Sequence, residues 1–197
     1  MATPGNPGGE WLVGESAVAA ARRVRIIGYD ASWPARYENE APAVMGALGP
    51  LAIEIQHIGS TSVPGLAAKP TIDILVGARS LELDDEAVAR LFELGYEYRG
   101  EMGVLGRRYF RKGRSYPRDF NVHLVVWRGA LWDDYLAFRD YLRAHPQRAR
   151  RYMDLKRQLV STAGGDELAA YAEGKAAFIA KALRSAGEEA ARRSRAG

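Results

Sequence analysis

Between His57 and Asp73 the chain reads HIGSTSVPGLAAKPTID. Residue types and order there suit the binding of an anion. Gly59 and Gly65 let the backbone come close to a ligand. Ser60, Thr61 and Ser62 set hydroxyls beside backbone N–H groups, a combination that forms concave nests for phosphate oxygens. Lys69 adds a positive charge twelve positions or fewer from each of them. Asp73 then interrupts an otherwise apolar stretch, Thr71–Val76. A carboxylate buried there without a partner would cost several kcal/mol. Its partner is either a divalent metal or, more plainly, Lys69 or a loop hydroxyl. A run of small hydroxylated residues is also a common turn composition, so a structural and a phosphate-binding reading both stand at this point.

Further cations fall where apolar residues are expected. In the segment after Leu131, Trp132, Tyr135, Leu136 and Leu142 recur at helical spacing, and Arg139 lies on their stripe. Tyr152, Met153 and Leu159 mark a second stripe with Lys156 on it, and Tyr171, Phe178 and Ile179 a third with Lys175. Each spacing of three or four puts the cation on the face turned to the core. Three buried charges require counterions. Those are internal acids such as Asp73 or a bound phosphate or carboxylate, with Tyr135, Tyr152 and Tyr171 packed alongside. Arg107, Arg108, Arg111 and Lys112 either add to such an anion pocket or, as most of them read, form an exposed basic hairpin. His123 shares a strand face with Val125 and Trp127 and is either a hydrogen-bonded core histidine or a functional one. His57 reads as a loop anchor and His145, before a proline, as a turn residue.

The elements that must position these groups follow from period and punctuation. A helix begins near Trp33, with Ser32 as N-cap and Pro34 in the first turn; Pro42 kinks or divides it, and Gly49-Pro50 ends it. Ile53–Ile58 alternates as a strand, Thr71–Val76 is a second, and a loop with at most one helical turn joins them. Asp85–Leu94 is an amphipathic helix closed by Gly95. Strands follow at Tyr96–Arg99, Arg107–Arg111 and Asn121–Trp127. Three helices complete the chain, near Trp132–Arg143, Pro146–Val160 and from an Asp166 cap to about Ala186. The pattern predicts an α/β (α+β) fold, a mixed sheet with flanking helices and a C-terminal helical part. A short helix is also expected within residues 10–24, after a Pro/Gly-rich start.

Composition bounds the function classes. The 197 residues suit one domain or a domain with a small appendage. A balance of 28 basic and 24 acidic residues leaves only +4, too little for a nucleic-acid-binding signature. Cysteine is absent, which excludes disulfides, thiolate metal sites and cysteine nucleophiles. No apolar run reaches the ~18–20 residues of a bilayer span, and acidic Glu10 and Glu15 argue against a signal peptide. A cytoplasmic protein acting on a small molecule is expected.

Residues from about Arg25 to Lys181 resemble the GrpB family. The resemblance rests on Tyr29-Asp30 with Trp33 to Tyr37, HIGSTSVPGLAAKPTIDILVG at 57–77, the His123 strand, FRDYLRAHP at 138–146, Tyr152 to Lys156 and Tyr171 to Lys175. It implies a nucleotidyltransferase-like domain over residues 25–186, between an N-terminal extension (1–24) and a basic tail (187–197). By that resemblance Gly59, Ser60, Thr61, Ser62, Arg139, Lys156, Tyr171 and Lys175 bind phosphate or substrate. Asp73 binds Mg²⁺, and Asp73, His123 and Lys69 serve catalysis on a nucleoside triphosphate. The superfamily that this family is similar to carries two acids spaced i, i+2 on the strand after its Gly-Ser pair. Here Thr71 and Leu75 flank Asp73 at that spacing, so one acid of the pair is missing. A one-metal site would need His123, Asp119 or Glu54 to complete it. Three functions stay open: a nucleotide-dependent transferase or ligase, a non-catalytic nucleotide-binding module, and an enzyme for another anionic small molecule.

Overall fold

The computed structural model describes residues 25–113, 118–162 and 167–196, the side chains at 162, 167–172 and 196 excepted. The expected helix within residues 10–24, the Asp166 cap and the side chain of Tyr171 lie outside the described residues.

Helix α1 spans Trp33–Leu48 and buries Trp33, Ala41, Val44, Ala47 and Leu48. Its start differs from expectation in one detail. The Ser32 side chain makes no capping bond; the Ser32 N–H instead donates to Asp30 Oδ1 at 2.8 Å. Pro42 lies inside α1 without dividing it. Strands β1 (Ala52–Ile58) and β2 (Ile72–Ala78) follow, then α2 (Asp85–Glu93). Helix α2 is capped by Asp84, whose Oδ1 accepts from Ala87 N–H at 2.6 Å, and Asp85 and Glu86 lie at its positive end. Strands β3 (Tyr96–Tyr98), β4 (Arg107–Lys112) and β5 (Phe120–Val126) complete the sheet. Helices α3 (Ala130–Ala144), α4 (Pro146–Thr162) and α5 (Glu167–Ala196) end the chain. Helix α5 continues ten residues beyond the apolar periodicity that suggested an end near Ala186. No helix among the described residues is long and apolar enough to cross a membrane.

The sheet runs β1-β2-β5-β4-β3. Only β2 and β5 pair in parallel; the other pairs are antiparallel. Register sorts the residues onto two faces. Ile72, Ile74, Val76, Val122, Leu124 and Phe110 face α1 and α2 and form the main core with Trp33, Val44, Leu48 and Leu91. On the other face Ile58 pairs with Asp73, Asp73 with Asn121, Leu75 with His123, His123 with Tyr109, and Val125 with Arg107. Its apolar half, Ile58, Leu75 and Val125, packs on Trp132 of α3. Its polar half points into the space beneath the C-terminal helices. A third cluster joins Val63 and Leu66 of the β1–β2 loop to Tyr141, Leu142, Tyr152 and Ala182. That loop is therefore clasped between the sheet and the helices.

Candidate functional site

A cavity of about 430 Å³ opens where the β1–β2 loop, the polar half of the sheet face, α3 and α5 converge. Gly59, Ser60, Thr61, Lys69, Asp73, Asn121, His123 and Lys175 line it. Leu131, Asp134, Tyr135, Phe138, Tyr152, Ile179 and Leu183 also line it. The lining thus combines charged and polar groups with apolar and aromatic ones, the usual make-up of a small-molecule site.

Asp73 enters at the first turn of β2, beside Asn121 on the neighbouring parallel strand. Asn121 Nδ2 donates to Asp73 Oδ1 at 2.8 Å, and His123 Nε2 lies 3.3 Å from the same oxygen. The tautomer of His123 follows from its other nitrogen. Arg107 Nη1 is 3.2 Å from His123 Nδ1, and a guanidinium only donates. Nδ1 therefore accepts, and Nε2 carries the proton that it gives to Asp73. Burial lowers the His123 pKa, with the nearby charges of Arg107 and Lys69 in the same direction and Asp73 opposing, so the ring is neutral at pH 7. Burial acts to raise the Asp73 carboxyl, but the His123 N–H, Lys69 and Asn121 outweigh it and hold it below the ordinary carboxylate range.

Arg107 departs from the exposed basic hairpin that the sequence suggests for most of its neighbours. It is 7% exposed. Nη1 also donates to Tyr135 Oη at 3.1 Å, Nη2 to the carbonyls of Glu101 at 3.0 Å and Met102 at 2.9 Å, and Nε to Glu101 O at 3.3 Å. Its guanidinium lies 4.8 Å from the centre of the Tyr109 ring. Tyr135, expected beside a bound anion, lines the cavity; Asn121 lines it without having been expected there, and Arg107 stands behind His123 and Tyr135.

The three hydroxyls of the loop have different employments. Thr61 Oγ1 lies 3.0 Å from His57 Nε2, a ring whose pKa burial drives down to about 4 and which stacks on Tyr37 at 4.8 Å. Ser62 Oγ donates to Gly59 O at 2.7 Å, and its own carbonyl accepts from Arg143. Ser60 faces the cavity and accepts from Lys156 Nζ at 3.1 Å. Lys156 is 1% exposed and also donates to Ala67 O. It ties both ends of the loop together, and its charge stands 4.9 Å from the Tyr152 ring centre. Burial, reinforced by Lys175 and Arg157, lowers its pKa to about 7. Lys175 is lowered to about 8 by burial and by Lys69, with Asp73 opposing. Lys69 is lowered by burial, again with Asp73 opposing.

Of the expected site residues, Gly59, Ser60, Thr61, Lys69, Asp73, His123 and Lys175 meet in the cavity. Ser62 and Arg139 do not line it. Arg139 is spent on the neighbouring structure, donating to Gln56 Oε1 at 2.7 Å, His57 O at 3.2 Å and Asp140. Lys156 reaches the cavity only through Ser60. Of the candidate metal partners, His123 lies beside Asp73, whereas Glu54 and Asp119 lie elsewhere. Glu54 accepts from Gln56 and Trp127, and Asp119 lies 3.9 Å from Arg36 with 60% of its side chain exposed.

Magnesium demands near-octahedral oxygen coordination, with one or two carboxylates besides water and substrate. This donor set fits it poorly. Asp73 Oδ1 already accepts two N–H groups, both nitrogens of His123 are engaged, and two lysines share the cavity. Among the described residues no group of three or more His, Asp or Glu side chains gathers as a metal cluster.

Residues 23–185 match a family model described as GrpB protein. The UPF0157 protein YqkA of Bacillus subtilis is 40% identical over 165 residues, 84% of this chain. The chain spans about half, 48%, of that protein's length. The glutamate-rich protein GrpB of Alkalihalophilus pseudofirmus is 30% identical over 164 residues, 81% of this chain and 94% of that one. Among solved structures, the conserved protein GrpB from Enterococcus faecalis superposes with a TM-score of 0.75 at 39% identity, covering 84% of this chain and 98% of its own.

Proposed function

We propose a function from the premise that this chain belongs to the GrpB protein family: its cavity holds the phosphates of a nucleoside triphosphate so that a small acceptor can attack them. The observation that carries this reading is the meeting of the Gly59–Thr61 turn, Lys69, Lys175 and Asp73 around one cavity. The turn and the two ammonium groups receive the phosphate oxygens. Asp73, backed by His123 and Asn121, faces the acceptor. A bond from an acceptor hydroxyl, amine or carboxylate to the α-phosphorus forms as the bond to pyrophosphate breaks, and the proton of a hydroxyl or amine acceptor leaves to solvent or with the pyrophosphate. Catalysis by such a site consists of positioning and fixed charge. The expected Mg²⁺ does not enter as a ligand of Asp73; a cation carried in by the triphosphate itself is compatible with the reading.

A thermal-shift screen of nucleoside triphosphates tests it, because a ligand that binds only the folded chain at about 100 times its Kd adds roughly 2.7 kcal/mol. Pyrophosphate release is then measured with hydroxyl, amine and carboxylate acceptors. Failure of every nucleotide to shift the melting point refutes the reading. A second reading, nucleotide binding without transfer, is favoured by the absence of an acid two residues from Asp73. It predicts a shift with no pyrophosphate released. Binding of a different anion, with no nucleotide bound, would point to the third function.

A further inference from the structure

The cavity contains its own counter-charge for an anion. Lys69 and Lys175 bring two positive charges to it, and Asp73 one negative charge. His123 is held neutral, because its Nδ1 is occupied by a guanidinium donor. Asp134, the second carboxylate of the lining, is solvent-exposed, so away from solvent the balance is an excess of positive charge facing the Gly59–Thr61 turn, before Arg107 behind His123 is added. Asp73 lines the same cavity as these lysines, and its charge raises the pKa of each against the pull of burial. Its Oδ1 receives the Asn121 amide and the His123 N–H. A cation approaching that oxygen would meet the His123 proton. It could not reverse the tautomer without leaving Nδ1 and Arg107 as two donors face to face. A divalent ion would also add two positive charges beside two ammonium groups. The other carboxylate of the cavity, Asp134, is on exposed surface of α3.

We propose that Lys69 and Lys175 take the place of a divalent metal at this site, so that it binds the phosphate or carboxylate group of its ligand without Mg²⁺, and that Asp73 serves as the counterion of these lysines. Lysine is suited to this as a compact point charge that accepts any orientation of a phosphate oxygen. The inference rests on the reading of the cavity as an anion site given above and specifies how that anion is neutralised.

Calorimetric titration of the full chain with inorganic pyrophosphate, once in EDTA and once in excess Mg²⁺, tests it. Binding in EDTA is expected. Lys175→Ala should weaken it by roughly tenfold or more, about 1.4 kcal/mol, while Lys175→Arg keeps the charge and most of the affinity. At pH 6, where the lysines keep their protons without their counterion, Asp73→Asn should bind pyrophosphate in EDTA at least as well as the parent, because a like charge near the anion is removed. Melting curves confirm that each variant is folded. Binding that appears only when Mg²⁺ is present, or that Asp73→Asn abolishes in a folded protein, overturns the inference and leaves the anion site standing. No binding of pyrophosphate or ATP in either condition overturns both.

Discussion

Substituting Gly59 by alanine is the sharpest test of how the loop is joined to the sheet. Gly59 has φ 72° and ψ −173°, a backbone region that is almost the preserve of glycine, and side-chain-bearing residues there cost about 1–3 kcal/mol. The added Cβ would also collide with Asp73 Oδ2 and stand 3.1 Å from Asp73 Cβ and Cγ. Crowding of this kind in a packed region costs about 1–3 kcal/mol more. The two together predict a loss of about 4 kcal/mol, which for a chain of this size lowers the melting temperature by roughly 8–16 °C. Gly65→Ala is the control. It too has a positive φ, 76°, but a Cβ there meets nothing within 4 Å, so only the backbone cost of about 1–2 kcal/mol applies. Differential scanning calorimetry of both variants gives the comparison. In an Asp73→Ala background the penalty at Gly59 should shrink, since the colliding carboxyl is gone. Equal melting temperatures for Gly59→Ala and Gly65→Ala would refute the contact between turn and carboxylate.

Arg107→Met should cost about 3 kcal/mol, because it strands the Glu101 and Met102 carbonyls and the His123 Nδ1. The His123 pKa should rise in the same variant, since the Arg107 charge helps to lower it; imidazole ¹⁵N shifts measure it. Lys156 titrates near 7 folded against 10.5 for the free side chain. The unfolded chain thus binds more protons above pH 7, and the cost of burying this charge, full below pH 7, is relieved as pH rises. Stability of the parent relative to Lys156→Met should therefore increase by about 2 kcal/mol between about pH 7 and pH 9, and urea midpoints at the two values check it. Anion affinity should fall as pH rises through about 8, where Lys175 loses its proton because burial and the charge of Lys69 outweigh the opposing charge of Asp73; a flat pyrophosphate titration across that range would count against Lys175 as a ligand-binding charge.

Much of the fold could be read in the chain because its signals are local. The alternation of Ile53–Ile58 and the apolar run around Asp73 fix two strands, and the stripes after Leu131 fix three helices. The candidate site was legible where one residue broke a local pattern. Asp73 in an apolar strand, Lys175 on an apolar stripe and the Gly-Ser turn are of that kind. Arg107 was not, because among the neighbouring Arg108, Arg111 and Lys112 it looks like one more solvated cation. Its burial depends on register: pairing with Val125 places it on the face that α3 covers. Arg139 shows the opposite error. Its stripe correctly gave the buried direction, but spacing cannot say that Gln56 and the His57 carbonyl wait there. Asn121 carried no signal of its own; only the parallel pairing with Asp73 gives it a role.

That parallel pairing has a consequence for biogenesis. Asp73 meets Asn121 and His123 across separations of 48 and 50 residues, and closing so long a segment carries an entropic cost that only the finished strand pair offsets. While the chain leaves the ribosome, the Gly59 turn and β2 emerge well before β5. Until β5 docks, the carboxylate stays hydrated rather than being enclosed in the sheet. Asp73, Asn121 and His123 are hence brought together only in the step that completes the central sheet, Lys175 on α5 joins them later still, and a nascent chain without β5 has no site to offer a ligand.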